Sequence, residues 1–356
     1  MRVAALAVLW WCLLAGVTFA QLPSGTPACA IPCFIKGVAV SPCGTNVTCL
    51  CSDQVFAVSL EGCVRTNCIV EDTLVLKNAT SNACGLPVKD LVAQYSIISH
   101  TLTVLVIVFV GVRVVYKRFL TSLGLGADDW VMVAVAVLCI PSTFLNSQLA
   151  TFGAGKDVWT LTPAQITNFG VTLWTVTLFY YATIALLKIS ILLFYLRIFP
   201  NPNFRRIVWS TIVFAACYGL TFILAQSFQC WPVSYNWTQW NDRGVFDGQG
   251  PGGRCINTII IARANAVISI ALDVWMLLLP LLKVRGLNIS AKKKFAVGAM
   301  FAVGTFVTVV SVIRFVSLIQ YENSNNITFD YTALLVWSTV EIATGAICAC
   351  MPACKL

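Results

Sequence analysis

Residues 169–195 read FGVTLWTVTLFYYATIALLKISILLFY, and this stretch decides the class of fold. Lys188 is its one charged residue. A helix of this length reaches about 40 Å, because each residue of an α-helix adds about 1.5 Å. The hydrocarbon core of a bilayer is about 30 Å thick, so the stretch predicts a helix that crosses a membrane.

Similar apolar runs continue on both sides of it. The chain has 356 residues, of which 58% are hydrophobic and 10% charged, whereas a soluble domain has about 25% charged residues. This composition excludes a soluble fold and predicts an all-α membrane protein, a seven-transmembrane helix bundle over residues 91–356. The predicted spans, numbered 1 to 7, are Leu91–Val115, Trp130–Leu149, Phe169–Tyr195, Ile207–Phe228, Ile259–Leu282, Phe295–Leu318 and Tyr331–Met351.

The distribution of basic residues predicts the orientation. Lys and Arg concentrate on cytoplasmic loops, where they also meet anionic lipids, so the net charge of +9 indicates membrane topology and not a nucleic-acid partner. With the N-terminus extracellular and the C-terminus cytosolic in the plasma membrane, the outside holds Lys156, Arg243, Arg254 and, near the start of span 5, Arg263. The inside then holds Arg113, Lys117, Arg118, Arg197, Arg205, Arg206, Lys283, Arg285, Lys292, Lys293 and Lys294.

Residues 1–20 have the pattern of a signal peptide. A basic residue, Arg2, precedes a short apolar stretch, and Thr18-Phe19-Ala20 has the small residues of a cleavage site. We expect cleavage after Ala20, and the alternative is a first membrane anchor. The following segment, residues 21–90, would then be extracellular.

Eight cysteines crowd this extracellular segment. An even number in so short a secreted segment predicts four disulfides, because a small core needs covalent support, although spacing alone leaves the connectivity open. A zinc site is the alternative, and it lacks histidine ligands here. Cys230 and Cys255, which flank the loop between spans 4 and 5, predict a fifth disulfide. The eight are Cys29, Cys33, Cys43, Cys49, Cys51, Cys63, Cys68 and Cys84.

The spacing of these eight cysteines, with the run Pro27–Cys33 and the Cys49-Leu50-Cys51 pair, resembles the CFEM domain, a fungal extracellular module. The resemblance implies a compact, disulfide-rich helical domain over residues 21–90. It also implies a pairing of Cys29 with Cys68, Cys33 with Cys63, Cys43 with Cys49, and Cys51 with Cys84.

The same resemblance raises the question of haem. CFEM domains that capture haem use an aspartate three residues before the Cys-x-Cys pair, where its carboxylate binds the iron. Here Asn46 has that position, so we expect no cofactor, and haem binding is the alternative. Asp53 is either a substitute ligand or a solvated loop carboxylate. Asn46, Asn78, Asn236 and Asn326 begin glycosylation sequons on the outside, whereas the sequon at Asn288 is predicted inside and bare.

The seven-span region also resembles a family, the fungal "rhodopsin domain" integral membrane proteins. The similarity lies in Asp128-Asp129-Trp130, Leu193–Phe199, Phe228–Trp237, and Trp337-Ser338 followed by Glu341. Together with the CFEM module, it resembles the CFEM-bearing class of fungal G-protein-coupled-receptor-like proteins. That resemblance implies sensing of surfaces or hosts, with a heterotrimeric G protein as a partner. Span 7 has no lysine before Lys355, which argues against a retinal photoreceptor.

Four charged side chains fall inside the predicted spans: Lys188, Asp273, Arg314 and Glu341. Charges at membrane depth are functional candidates that need partners. Their depths predict two ion pairs, Lys188 with Asp273 and Arg314 with Glu341. Each pair either helps form a ligand site or only fixes helix packing.

Three further polar features have simpler interpretations. Asp128 and Asp129 are expected to cap span 2, because carboxylates favour helix N-termini. His100 is expected to be buried and hydrogen-bonded within span 1, and Arg197 has no acidic neighbour before it in span 3.

The sequence as a whole indicates a cell-surface receptor-like protein and not an enzyme. It would recognise an extracellular ligand or other cue and signal through its helices, which are in contact with membrane lipid. A capture protein for haem or another hydrophobic ligand, anchored by its helices, is the first alternative. A transporter is the second, and an inverted repeat is not visible in seven spans.

Overall fold

The computed structural model describes residues 23, 25–44, 46–120, 124–239, 249–250, 252–284, 291–322 and 326–351. The expected signal peptide, Asn288, Arg243, Arg285 and the side chains of Lys283 and Lys292–Lys294 lie outside what it describes. The chain divides into two compact units, one made of residues 1–88 and 238–252 and the other of residues 89–237 and 253–356. The two units are described separately.

The N-terminal module is helical. A 3-10 turn over Ala28–Ala30 leads into α1 (Ile31–Val40), followed by α2 (Val47–Leu50), α3 (Gln54–Asn67) and α4 (Val70–Ala83). Phe56, Leu60 and Val64 lie at four-residue intervals on α3, which places them on one face of that helix. This face packs against Leu76 of α4 and buried Cys33 in a single small core.

Four disulfides link this core. They join Cys29 to Cys68, Cys33 to Cys63, Cys43 to Cys49, and Cys51 to Cys84, with Cα–Cα separations of 5.5 to 5.6 Å. These are the four pairs that the CFEM resemblance implies. Covalent links of this kind supply stability that so small an apolar core lacks.

Seven helices of the described chain are long and apolar enough to cross a membrane, and each lies over one of the seven predicted spans. The structure extends spans 2, 3, 5 and 6 at both ends and span 4 at its start. Thr162 caps span 3 and Asn201 caps span 4, and a proline follows each cap. The spans are Val92–Val115, Ala127–Thr151, Pro163–Ile198, Pro202–Ser227, Thr258–Val284, Ala291–Glu322 and Ile327–Cys350.

Span 3 lies at the centre of the bundle. Its side chains Tyr180, Ile184 and Leu187 belong to an apolar core shared with neighbouring spans, including Ala343 of span 7. Span 4 approaches it closely at Gly219, where an added Cβ would lie 2.5 Å from the Cβ of Ala185. Spans 3 and 4 therefore pack at a distance that only glycine permits at this point.

The loop between spans 4 and 5 carries the expected fifth disulfide. Cys230 and Cys255 are bonded, and they also pair across two antiparallel strands, β1 (Cys230–Trp231) and β3 (Gly253–Cys255). A further short strand, β2, covers Gln249–Gly250, and a short helix covers Tyr235–Thr238.

Candidate functional site

The structure brings together both predicted ion pairs in the middle of the bundle. The Nζ atom of Lys188 on span 3 contacts the Asp273 carboxylate on span 5 and donates to the carbonyl oxygen of Ser269 at 3.1 Å. Both charged side chains are buried. Breaking such a pair strands a charge in a low-dielectric environment, so the pair fixes spans 3 and 5 to each other.

The second pair has a looser geometry. Arg314 of span 6 lies 3.5 Å from Glu341 of span 7, measured from its terminal nitrogen to Oε2. Arg314 also donates from Nε to the Ser338 hydroxyl at 3.0 Å, and its guanidinium lies 4.2 Å from the ring centre of Tyr180. The Tyr180 hydroxyl donates to the same Glu341 oxygen at 2.7 Å. Glu341 is thus held mainly by neutral donors.

A hydroxyl group joins the two pairs, which the sequence did not predict. Ser311 Oγ lies 3.2 Å from Asp273 Oδ2 and 2.7 Å from Glu341 Oε1. A hydroxyl has one proton to donate, and the two carboxylates compete for it with the carbonyl oxygen of Val307 at 3.2 Å. The four charges therefore form one continuous network across spans 3, 5, 6 and 7, which we call the central network: Lys188, Asp273, Ser311, Glu341, Arg314 and Tyr180.

A cavity of about 60 Å³ borders the central network. It lies among spans 2, 3, 6 and 7, and Arg314 and Tyr180 form part of its lining. Ser142 and Asn146 of span 2 line it from another side. The central network thus has one face on an open space.

A second ionic cluster lies where spans 1 and 3 end and span 2 begins, on the side predicted to be cytosolic. It corrects three expectations. Asp128 and Asp129 are buried, and each contacts Arg113, Lys117 and Arg197. We call these five residues the inner cluster. Asp129 also accepts from the backbone N–H of Gly126 at 2.9 Å, so capping is one part of its role.

Arg113 and Lys117 therefore do not extend into a loop as expected, and Arg197 finds its acidic neighbours on span 2 instead of its own helix. Arg113 also donates to the carbonyl oxygen of Ala349 near the end of span 7. The signal that could have identified the cluster is the placement of opposite charges at the ends of two consecutive spans, on the same predicted side of the membrane.

The expectation for His100 is half wrong. Its ring is hydrogen-bonded, with Nδ1 2.6 Å from the carbonyl oxygen of Ser96 and Nε2 3.1 Å from the Ser147 hydroxyl. The side chain is nevertheless exposed on the protein surface at membrane depth. Two local partners satisfy its polar atoms there.

In the N-terminal module, Asn46 and Asp53 are both helix caps. Asn46 is exposed, and its Oδ1 accepts from the backbone N–H of Cys49 at 3.2 Å, at the start of α2. Asp53 accepts from the backbone N–H of Val55 at 2.9 Å and from the Ser41 hydroxyl. Asp53 thus caps α3 with one carboxylate oxygen, and with the other it accepts from Ser41, the residue that follows α1.

The hydrogen bonds to Asp53 predict that the stability of the N-terminal module depends on pH. The hydrogen bond from Ser41 holds the pKa of the Asp53 carboxyl below its usual value, aided by backbone N–H groups. A lowered pKa in the folded state adds stability above the unfolded pKa of about 3.9, and that stability is lost as the pH falls through the folded value. We expect Asp53→Asn to destabilise residues 21–90 more at pH 6 than at pH 2, in denaturant titrations followed by circular dichroism. An equal effect at both pH values would contradict this role.

Two of the four predicted glycosylation sites are engaged in the fold. The amide nitrogen of Asn326 donates to Asp157 at 2.6 Å, and its Oδ1 accepts from the backbone N–H of Val158 at 3.1 Å. The amide nitrogen of Asn236 is buried, and its Oδ1 accepts from Gln229. An N-glycan is attached to the side-chain amide nitrogen, which is buried in Asn236 and bonded to Asp157 in Asn326, so we expect no glycan at either position.

We therefore expect glycans at Asn46 and Asn78 alone. Glycosidase treatment should increase the gel mobility of the full chain, and replacing both asparagines with Gln should abolish that change. Asn326→Gln and Asn236→Gln should leave the change intact, as should Asn288→Gln on the side predicted to be cytosolic. A smaller change in the Asn288 variant would overturn the predicted orientation.

Seven apolar helices, preceded in the sequence by a helical disulfide-rich module, define a multi-pass membrane protein of the seven-helix class. The chain belongs to the fungal rhodopsin domain family, whose profile matches residues 112–356. Residues 22–85 match the CFEM domain. Both matches confirm the resemblances seen in the sequence motifs.

Individual relatives cover different shares of this chain. A SAT4 family membrane protein from Emericella nidulans is 28% identical over 236 residues, which cover 64% of this chain and 57% of that protein. The polyenoic acids biosynthesis gene cluster protein Ba17b of Metarhizium anisopliae is 25% identical over 70% of this chain and 69% of its own length. A GPI-anchored hemophore of Arthroderma benhamiae is 33% identical over 79 residues, 21% of this chain and 42% of the hemophore. No solved structure matches the chain significantly.

Proposed function

We propose that the chain is a receptor-like protein of the plasma membrane and not an enzyme, with its CFEM module outside and its C-terminus in the cytosol. An extracellular cue would shift the seven-helix bundle between two arrangements, and the inner face would pass the change to a cytosolic partner such as a heterotrimeric G protein. The observation that carries this proposal is the cavity beside Arg314, because it opens directly onto the central network.

The central network has the properties that a two-state element needs. Glu341 accepts from Tyr180 and Ser311 at 2.7 Å each, whereas its contact with Arg314 is 3.5 Å long. A ligand that drew Arg314 away would leave Glu341 with its neutral donors. Because Ser311 also faces Asp273, the change would reach the pair of Lys188 and Asp273 on spans 3 and 5.

Cells that express the full chain provide the test. Cyclic AMP and calcium would be measured while the cells meet hydrophobic surfaces, lipids and peptides in turn. We expect at least one cue to change a second messenger relative to cells that carry the empty vector. Silence toward all cues, with the protein present at the cell surface, would contradict a receptor role.

Capture of haem or another hydrophobic ligand is the second candidate, and the similarity of the module to GPI-anchored hemophores favours it. In this function the helices would serve as an anchor. Asn46 is the point of difference, because an amide is a weaker ligand for ferric iron than a carboxylate.

We expect Asn46→Asp to strengthen haem binding by the full chain by about tenfold or more, because it introduces an anionic oxygen ligand. Asp is as good a helix cap as Asn, so α2 should be retained. Asn46→Ser is the matched control, since it keeps a cap and removes the sequon without adding a carboxylate. Soret titration measures both variants, and equal, negligible binding by the two would show that the module has no haem site at this position.

A further inference from the structure

The cavity among spans 2, 3, 6 and 7 has the lining of a binding site for a small molecule. Its volume of about 60 Å³ exceeds the roughly 15 Å³ that one water molecule requires. Polar side chains, among them Ser142, Asn146 and Ser338, share the lining with apolar ones such as Leu334 and Ile342. A ligand with one polar end and one apolar end fits such a wall.

The charge of the lining restricts the chemistry of that ligand. Arg314 lines the cavity, and none of the described residues that line it is acidic. Glu341 approaches Arg314 without forming part of the cavity wall. The space therefore favours an anion over a cation.

Arg314 also has hydrogen-bonding capacity to offer. A guanidinium group carries five N–H donors. The structure assigns one to Ser338 at 3.0 Å and one, near the limit of a hydrogen bond, to Glu341 at 3.5 Å. The Tyr180 ring beneath the guanidinium fixes its plane without accepting a conventional hydrogen bond.

We propose that this cavity binds the carboxylate group of an organic acid through Arg314. The planar fork of arginine matches two carboxylate oxygens. The side-chain amide of Asn146, which gives one of its two hydrogens to Ser99, can donate the other to them as well. The apolar part of the wall would accept the carbons next to the carboxylate, because a cavity of about 60 Å³ holds only a short segment of the ligand. This inference rests on the proposed receptor function, for which it names the class of ligand.

The acid could come from two sources, the extracellular solution or the membrane. The test uses the full chain in nanodiscs, with butyrate as the soluble acid and oleate as the membrane acid. Butyramide and oleamide are their uncharged counterparts of matched size. Saturation-transfer NMR would detect butyrate, and displacement of butyrate would report on oleate. Thermal shifts would measure binding of oleate directly.

We expect saturable binding of an acid and about tenfold weaker binding of its amide, because the amide lacks the charge that Arg314 recognises. Binding of butyrate would identify a soluble acid, and stabilisation by oleate alone would identify a membrane acid. The double variant Arg314→Met/Glu341→Gln, which removes the charges as a pair, should bind the acid at least about tenfold more weakly.

A matched control and a second variant keep this test decisive. Arg263→Met/Glu322→Gln removes an ion pair between spans 5 and 6 that lies outside the cavity lining, and it should bind like the wild type. Thr339→Leu fills the cavity without changing a charge, so it should also weaken binding. This variant provides the test if the Arg314 double variant fails to fold.

Equal binding of acid and amide, or no saturable binding of either acid, would overturn the inference. Unchanged binding in Thr339→Leu together with unchanged binding in the Arg314 double variant would overturn it too. A second-messenger response to a cue without any acid binding would reject this ligand class and leave the receptor function standing. Acid binding without a second-messenger response to any cue would reject the receptor function and leave this ligand class standing.

Discussion

Arg113→Met should abolish most of the surface expression of the full chain. Arg113 is fully buried and donates to Asp128 at 2.5 Å and to Asp129 at 2.7 Å, as well as to the carbonyl oxygen of Ala349. Its loss would leave two buried carboxylates to share Lys117 and the half-exposed Arg197. Removing one partner from a buried ionic group costs about 3–5 kcal/mol, a large part of the stability of a typical domain.

Arg118→Met provides the matched control. It removes a positive charge from the same end of span 1, but Arg118 is exposed, so its expression should remain close to that of the wild type. Arg113→Lys should give an intermediate result, because lysine keeps the charge and lacks the fork that reaches both carboxylates. Flow cytometry of an epitope-tagged chain measures all three variants. Wild-type expression of Arg113→Met would show that the inner cluster does not hold the spans together.

Single changes in the pair of Arg314 and Glu341 should have the second-largest effect. Arg314→Met leaves a buried carboxylate without its cation, and by the same estimate this costs about 3–5 kcal/mol. Glu341→Gln should be milder, because the amide oxygen can keep one of the two hydrogen bonds that Tyr180 and Ser311 donate to different oxygens of the carboxylate. The double variant should recover much of the surface expression that Arg314→Met loses.

The response of the double variant separates two roles for this pair. If the pair lines the site of recognition, the double variant should reach the surface and fail to respond to a cue that activates the wild type. If the pair only fixes packing, the response should return along with expression. Wild-type expression and response in both single variants would show that the two side chains do not depend on each other in the bundle.

Much of the fold could be predicted because its causes are local. Each span is an apolar run of sufficient length, and the disulfide pairs follow from cysteine spacing that resembles a known module. The pairing of Lys188 with Asp273 and of Arg314 with Glu341 could also be predicted, since depth along a straight helix can be counted from the sequence.

The connections within the sites could not be predicted in the same way. Ser311 resembles any other serine in an apolar helix, and its place between two carboxylates depends on how spans 5, 6 and 7 rotate against one another. The same holds for Asn326, whose sequon suggests a glycan, whereas a loop 169 residues away in sequence supplies its partner Asp157. Depth is a property of one helix, and rotation is a property of the packed bundle.

The inner cluster shows a further limit. Arg113 and Lys117 favour the same orientation whether they lie in a loop or are buried at the ends of the spans. The distribution of basic residues therefore could not distinguish the two placements. Their contacts with Asp128 and Asp129 decide the matter. The cluster links the ends of spans 1, 2, 3 and 7, where a shift of the bundle would have to emerge.

The central claim is that a cue moves this bundle between two arrangements. Arg118, just after span 1, and Arg206, on span 4, are exposed and lie at the ends predicted to be cytosolic. Both positions can carry spin labels on introduced cysteines, with the free cysteines of the described residues replaced by alanine. Electron–electron resonance would then measure the distance between the labels in nanodiscs, with and without the cue found in the second-messenger assay. We predict that the cue increases the population of a second distance, and that the Arg314→Met/Glu341→Gln background prevents this increase. A single distance distribution, unchanged by a cue that alters the second messenger, would contradict the claim.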